Sequence, residues 1–288
     1  MTLSSPHITD PVAAHVLTVT LSPRVTRDAS ASVSWPTPVS RLDQPEVEVA
    51  LRAVLAASAE AGATLTLFAS GELAERAPGL LKEVAAAGHE IAACGWHGRP
   101  IALSAIASFR EDVRRAKGVL EAVTGTPVVG FRAPGVFRQA REMWPIDVLL
   151  EEGFRYDSSR TTSFGVGAGR RLAPPSAPFL IRRPSGELLE LPLATGRFLG
   201  VRLPVGQGPW WWRLPQGSVT RLLDQQQRGG SAVVLELALG HLPLGGSGGL
   251  GRIGLRLHRL MAGRRFASAI ERYRDLWVTS GPPGAHRG

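Results

Sequence analysis

The chain contains one cysteine, Cys94, among 288 residues. A single thiol excludes an intrachain disulfide framework and a cysteine-rich zinc module. Long apolar runs are missing as well. SAVVLELALG at 231–240, among the longest, is too short to span a bilayer. The opening stretch MTLSSPHITDPVAAHV has no basic n-region and no long apolar h-region. No secretory signal is read there, and a cytoplasmic location is expected. Lysine is confined to Lys82 and Lys117; the other basic side chains are arginines spread along the chain. The net charge of +9 therefore comes without a basic block interleaved with aromatics, and without a nucleic-acid motif. A nucleic-acid partner is not expected, whereas an anionic glycan or membrane surface stays open.

Apolar residues make up 44% of the chain and charged residues 20%, the balance of a globular protein rather than a disordered one. No internal repeat and no convincing linker stands out. The expected division is an N-terminal extension over 1–14, one folded body over 15–277 and a disordered tail over 278–288.

Strand and helix signals alternate. HVLTVTL (15–21) suits a buried parallel strand, and a Pro/Ser-rich loop follows over 22–43. Val47, Leu51, Val54 and Leu55 have helical spacing, which predicts a helix over 45–61 with Gly62 as its stop. ATLTLFA (63–69) is the second strand, 72–88 a helix pair ending at Gly88, and HEIAACG the third strand. SFREDVRRAKGVLEAVTG (108–125) predicts an amphipathic helix capped by Ser108, with Glu111 completing a capping box and Gly125 ending it. PVVGFRAP (127–134), a helix over 143–153 and FRYDSS (154–159) continue the βα series. A hairpin over 179–193 turns at Ser185-Gly186. A helix over 220–230, a strand over 231–239, a flexible glycine-rich stretch over 242–254 and one or two terminal helices over 255–277 complete the chain. A run of βα units implies an α/β parallel sheet or barrel with its functional face at the strand C-termini.

Three stretches carry a family resemblance: GELAERAPGLLKEVAAAGHEIAACGW, then REDVRRAKGVLEAVTGTPVVGFRAPG, then DVLLEEGFRYDSS. They resemble the polysaccharide deacetylase family (NodB homology, carbohydrate esterase), and within it the branch found with exopolysaccharide and exosortase gene clusters. LLELPLATGRFLGVRLPVGQGPWWWRLP (188–215) continues the similarity. The resemblance implies a distorted (β/α)7-type barrel and metal-assisted removal of acetyl groups from sugars. In such chemistry the ion polarises water and carbonyl while a carboxylate takes the water's proton.

Carried over residue by residue, the resemblance implies an acidic motif after LTV, where Thr20, Leu21, Ser22 and Pro23 stand instead. Cys94 holds the place of the first histidine of an H-x-x-x-H pair. Gly98 holds the second, with His97 one position early. Arg132-Ala133-Pro134-Gly135 keeps the arginine motif, in which the arginine steadies the catalytic carboxylate. The late-strand histidine that acts as general acid falls at Glu236, with His241 five residues beyond. The candidate catalytic set is therefore Arg132, Glu236 and His241, with Pro134 beside the substrate.

Cys94 and His97 are candidate zinc ligands, with a third donor from Asp10, His15, Glu190, Glu236 or His241. The alternative is that no cofactor is held, Cys94 being a small buried hydrophobe and His97 a loop residue. Arg132 needs an acceptor: Asp157, backbone carbonyls or an anionic ligand. His89 reads as a packing and hydrogen-bonding residue. Trp210, Trp211 and Trp212 cannot all be buried by one helical or strand period. They suggest a glycan platform or, alternatively, a loop wedge or partner contact. A Ser22/His97/Asp157 nucleophile lacks a supporting turn motif. GGSGGLG (245–251) lacks the lysine-serine pair of a phosphate loop.

The functional expectation is a catalytically impaired deacetylase homologue that binds an acetylated glycan or a polysaccharide-assembly protein. An active hydrolase with substituted ligands and a purely structural scaffold are the alternatives.

Overall fold

In the computed structural model the described residues are 3–4, 14–21, 44–96, 105–133, 143–159, 177–198, 201–203, 206, 214–228, 233–239 and 249–275. The first half runs β1 (Leu3–Ser4), β2 (Val16–Leu21), α1 (Gln44–Glu60), β3 (Thr66–Ala69), α2 (Gly71–Arg76), α3 (Pro78–Ala86) and β4 (Glu90–Ala93). It continues with α4 (Ile106–Thr124), β5 (Gly130–Phe131), α5 (Trp144–Glu151) and β6 (Tyr156–Asp157). The second half adds β7 (Phe179–Arg183), β8 (Gly186–Glu190), β9 (Gly196–Phe198), β10 (Val201–Leu203) and α6 (Gln216–Arg228). Then come β11 (Val234–Ala238), α7 (Gly249–Met261) and α8 (Ala269–Arg272).

The main sheet has the order β1-β7-β8-β6-β5-β4-β3-β2-β11. From β11 to β8 every ladder is parallel, whereas β7 and β1 run antiparallel at the far edge. Seven parallel strands with helices between them are the expected α/β barrel architecture. The ring closes through backbone beyond β8. Ala194 N donates to Val234 O at 2.9 Å, Gly206 N to Ala194 O at 2.8 Å and Glu236 N to Gly206 O at 2.7 Å. Only glycine fits at 206, because a Cβ there would stand 2.6 Å from Ala194 N and 2.8 Å from Val234 O.

Strand alternation divides two apolar layers. Leu17, Val19 and Leu21 face the outer layer with Leu51 and Val54 of α1, Val113 and Leu120 of α4, and Leu257 and Leu260 of α7. Val16 joins Phe68, Ala92, Cys94, Tyr156, Leu189 and Leu191 in the inner layer. Each such buried side chain contributes about 1.5–3 kcal/mol of apolar transfer. The threonines at 18 and 20 share the face of Val16, so two hydroxyls enter the barrel interior.

Several boundaries differ from the sequence expectation. α4 starts at Ile106 behind an extended Ala105, with no side-chain cap, so Ser108 and Glu111 lie within its first turns. Gly125 does end it, in the left-handed region at φ 69°. Gly249 to Gly254, expected as flexible chain, belong to α7; Ile253, Leu257, Leu260 and Met261 give that helix a buried stripe that outweighs its glycines. Leu3–Ser4, within the stretch read as an N-terminal extension, pair with β7. No described helix is long and apolar enough to cross a membrane.

Candidate functional site

Arg132 follows β5 and points into the barrel, 3% exposed. Burying a guanidinium without acceptors would cost several kcal/mol, and three strands supply them. Nε donates to Ser158 O at 2.9 Å and Nη2 to Ser158 Oγ at 2.7 Å. Nη1 donates to Thr18 Oγ1 at 2.7 Å and reaches Thr20 Oγ1 at 3.4 Å. The carboxylate of Glu236, on β11, lies 3.6 Å from Nη1. Phe68 covers the guanidinium face, 4.1 Å from ring centroid to Cζ. The hydroxyls are anchored in turn: Ser158 Oγ donates to Leu191 O at 2.7 Å, Thr18 Oγ1 to Leu235 O at 2.9 Å, and Thr20 Oγ1 to Glu236 Oε1 at 2.8 Å. Burial lowers the Arg132 pKa, and the Glu236 charge is the largest influence opposing it. A guanidinium nevertheless keeps its proton at neutral pH.

Of the acceptors expected for Arg132, a backbone carbonyl is present and Asp157 is not among its hydrogen-bond partners. Asp157 acts on Arg132 only as a neighbouring charge. It accepts from Ser159 Oγ, which itself accepts from Ala133 N at 2.8 Å and so ties the β6 exit to the β5 exit. The threonine and serine hydroxyls were missed. Their signal is the T-V-T alternation at 18–20 on one strand face.

Cys94 leaves β4 with 1% exposure. Burial pushes its thiol pKa up to about 12, and the Arg132 charge pulls the other way. The backbone after Cys94 is clamped. Gly71 N donates to Gly95 O and Glu72 N to Trp96 O, both at 3.1 Å, and Trp96 N donates to Asp112 Oδ2 at 2.8 Å. The Trp96 ring lies on Gly71, where a Cβ would meet it at 2.4 Å, and the Arg115 guanidinium stacks 3.4 Å over it.

Of the candidate third ligands among the described residues, Glu236 lies near enough to Cys94 for its charge to raise the thiol pKa, whereas His15 lies elsewhere. His15 precedes β2 at the opposite end of the strands, where Nδ1 accepts from Val233 N at 3.3 Å and the ring tilts against Phe266. Glu190 is fully buried at the end of β8. Among the described residues no group of three or more His, Cys, Asp or Glu side chains could hold a metal ion. Among the described residues, the side chains that meet Arg132 at the mouth are the hydroxyls of Thr18, Thr20 and Ser158 and the carboxylate of Glu236, and these do not by themselves make up a metal-ligand set. His97, Asp10, Ser22, Pro134, Trp210, Trp211, Trp212 and His241 lie outside the described residues.

A second polar cluster lies at the strand N-termini. Glu90 accepts from Tyr156 Oη and Thr66 Oγ1, both at 2.8 Å, and from Ile270 N at 3.0 Å. Desolvation raises the Glu90 pKa, against the pull of these donors. Ala269 N donates to Thr66 Oγ1 at 2.8 Å, so this cluster seats α8 under the barrel. His89 has the expected scaffold role: Nδ1 accepts from Leu65 N at 3.2 Å, and burial lowers its pKa.

Residues 43–144 match the family model described as polysaccharide deacetylase. Over these residues the chain is similar to the polysaccharide deacetylase family. No curated protein matches it. Among solved structures, the chain is similar to a Mycobacterium smegmatis protein provisionally designated a polysaccharide deacetylase, with 23% identity, TM-score 0.58 and coverage of 83% and 81% of the two chains. A PuuE allantoinase aligns at 16% identity and TM-score 0.66 over 97% of this chain and 96% of its own. A Bacillus anthracis CE4 family pseudoenzyme aligns at 11% identity and TM-score 0.50 over 90% of this chain and 65% of its own. At these identities the structural likeness establishes the barrel fold alone, and a barrel hosts many chemistries.

Proposed function

We propose that this polysaccharide deacetylase-like chain does not carry out metal-assisted deacetylation and serves as a glycan- or partner-binding body in exopolysaccharide assembly. One observation carries the reading. The polar centre of the barrel mouth is a closed network of Arg132, Thr18, Thr20, Ser158 and Glu236, with hydroxyls on β2 where the family resemblance calls for acids. A buried thiol, Cys94, stands at the first histidine position. Without an ion to polarise water and carbonyl, most of the hydrolytic rate is lost. The fold-level precedent is the Bacillus anthracis protein, a pseudoenzyme on the same barrel. The exopolysaccharide setting rests on the quoted stretches around 188–215, and the glycan on the run Trp210-Trp211-Trp212, whose rings suit stacking on sugar faces.

The test is acetate release from acetylated oligosaccharides, followed with and without added zinc, beside calorimetric titration of the same sugars. The expected result is no release, with binding that weakens in Trp211→Ala. Turnover that rises with zinc overturns the proposal.

The second reading is hydrolysis with Cys94 and His97 as substituted ligands. Glu236 speaks for it, since its carboxylate keeps 12% side-chain exposure at the mouth and is placed to take a proton. Under that reading turnover disappears in Glu236→Gln and in Cys94→Ala. If neither sugar binding nor turnover is measured, a scaffold contacting only protein is the reading left.

A further inference from the structure

Two adjacent strands reach the same side of one buried cation. Thr20 Oγ1 of β2 lies 3.4 Å from Arg132 Nη1, and Glu236 Oε1 of β11 lies 3.6 Å from that nitrogen. The two oxygens are 2.8 Å apart. In the parallel β11–β2 ladder Glu236 is level with Thr18, two residues before Thr20. The longer glutamate side chain climbs to the level of a shorter side chain on its neighbour. A second carboxylate at position 20 would stand within about 3 Å of the first, where like charges cannot both stay ionised.

We infer that positions 20 and 236 form a single anionic slot beside Arg132, which Glu236 fills from β11 while Thr20, on β2, serves as its neutral hydrogen-bond donor. This deepens the reading of the barrel mouth given above and rests on it. The slot has room for one negative charge, and Arg132 cancels that charge. Glu236 is thus a positioning residue. It holds the guanidinium that also grips Ser158, and its own backbone N–H closes the barrel seam through Gly206 O. Because the slot is shared, the carboxylate can change strand without loss of the network.

The experiment is a four-protein cycle: wild type, Glu236→Gln, Thr20→Asp and Thr20→Asp/Glu236→Gln, compared by thermal unfolding at pH 7. Glu236→Gln is expected to lower Tm by about 5 °C, since a buried charge pair loses one partner. Thr20→Asp is expected to lower Tm by a similar amount, because it crowds two acids into one slot. The double variant is expected to recover most of the loss. Should Glu236→Gln fail to accumulate in folded form, recovery of soluble, cooperatively unfolding protein on adding Thr20→Asp reads the same rescue. A double variant no more stable than the weaker single variant overturns the inference. So does a Glu236→Gln protein as stable as wild type. A side chain that merely fills space predicts additive losses and no rescue. Acetate release and metal content of the wild type do not enter this cycle, so it fails independently of the functional reading.

Discussion

Gly130 and Tyr156 are register partners on β5 and β6, and the tyrosine ring lies across the glycine. A Cβ at position 130 would stand 2.1 Å from both Cζ and Oη of Tyr156 and 2.6 Å from Cε1. Carbon–carbon contact is optimal at about 3.5–4 Å, so in Gly130→Ala the ring must move by more than an ångström. It has nowhere to go at no cost. Tyr156 is fully buried, stands edge-on to Phe68 and donates to Glu90 Oε1 at 2.8 Å. Overpacking of this kind costs about 1–3 kcal/mol, and losing a hydrogen bond to a buried carboxylate costs about 1.5–3 kcal/mol more. The sum, about 2.5–6 kcal/mol, is a large share of the about 5–15 kcal/mol that holds a typical protein together. At about 2–4 °C per kcal/mol, Tm should fall by about 10 °C. Urea and thermal unfolding followed by far-ultraviolet circular dichroism give both numbers. Tyr156→Phe removes the hydrogen bond alone and should lose only the second portion. A Gly130→Ala protein within about 1 kcal/mol of wild type would refute the reasoning, because the energy of a core overpacked to that degree does not vanish.

Gly206→Ala should weaken the barrel seam, because the atoms it would strike are backbone and cannot swing aside. The check is faster amide hydrogen exchange at Ala194 and Glu236, whose N–H groups make the seam bonds. Cys94 should resist thiol reagents at pH 8 in the folded protein and react on unfolding, given its burial and raised pKa; rapid labelling of the native chain would contradict the buried thiol. Glu90 gives a pH signature. Its folded pKa is raised, so the folded state binds the proton more tightly than the unfolded state. The contribution to stability is therefore full below the unfolded value and is lost as pH rises through the folded one. Glu90→Gln should flatten that decline, read as the difference between the two stability-against-pH curves; parallel curves would place the decline elsewhere.

The barrel was legible because its strands and helices are strongly periodic. The β2 sequence alternates outer-layer Leu17, Val19 and Leu21 with inner Val16, and α4 spaces Phe109, Val113, Ala116 and Leu120 along one face. The start of α4 was misplaced because a capping box at Ser108 and Glu111 looked stronger than an alanine whose backbone simply turns extended. The terminal helices were expected from 255 onward; the first turns of α7, over 249–254, were hidden by their glycines, since only docking of the helix's apolar stripe against the outer layer makes them worthwhile. At the mouth, sequence identified Arg132 and the want of an acid on β2. It could not show what replaces that acid. The partners Thr18, Ser158 and Glu236 come from three other strands and meet Arg132 only when the barrel closes. The seat of α8 on Glu90 and Thr66 was invisible for the same reason.

The central claim is that this barrel mouth does not hold a catalytic cation, and elemental analysis of protein purified without chelator tests it most directly. The account predicts zinc, nickel and cobalt well below stoichiometry, unchanged in Cys94→Ala. One firmly held ion per chain, lost in Cys94→Ala and His97→Ala, would contradict it.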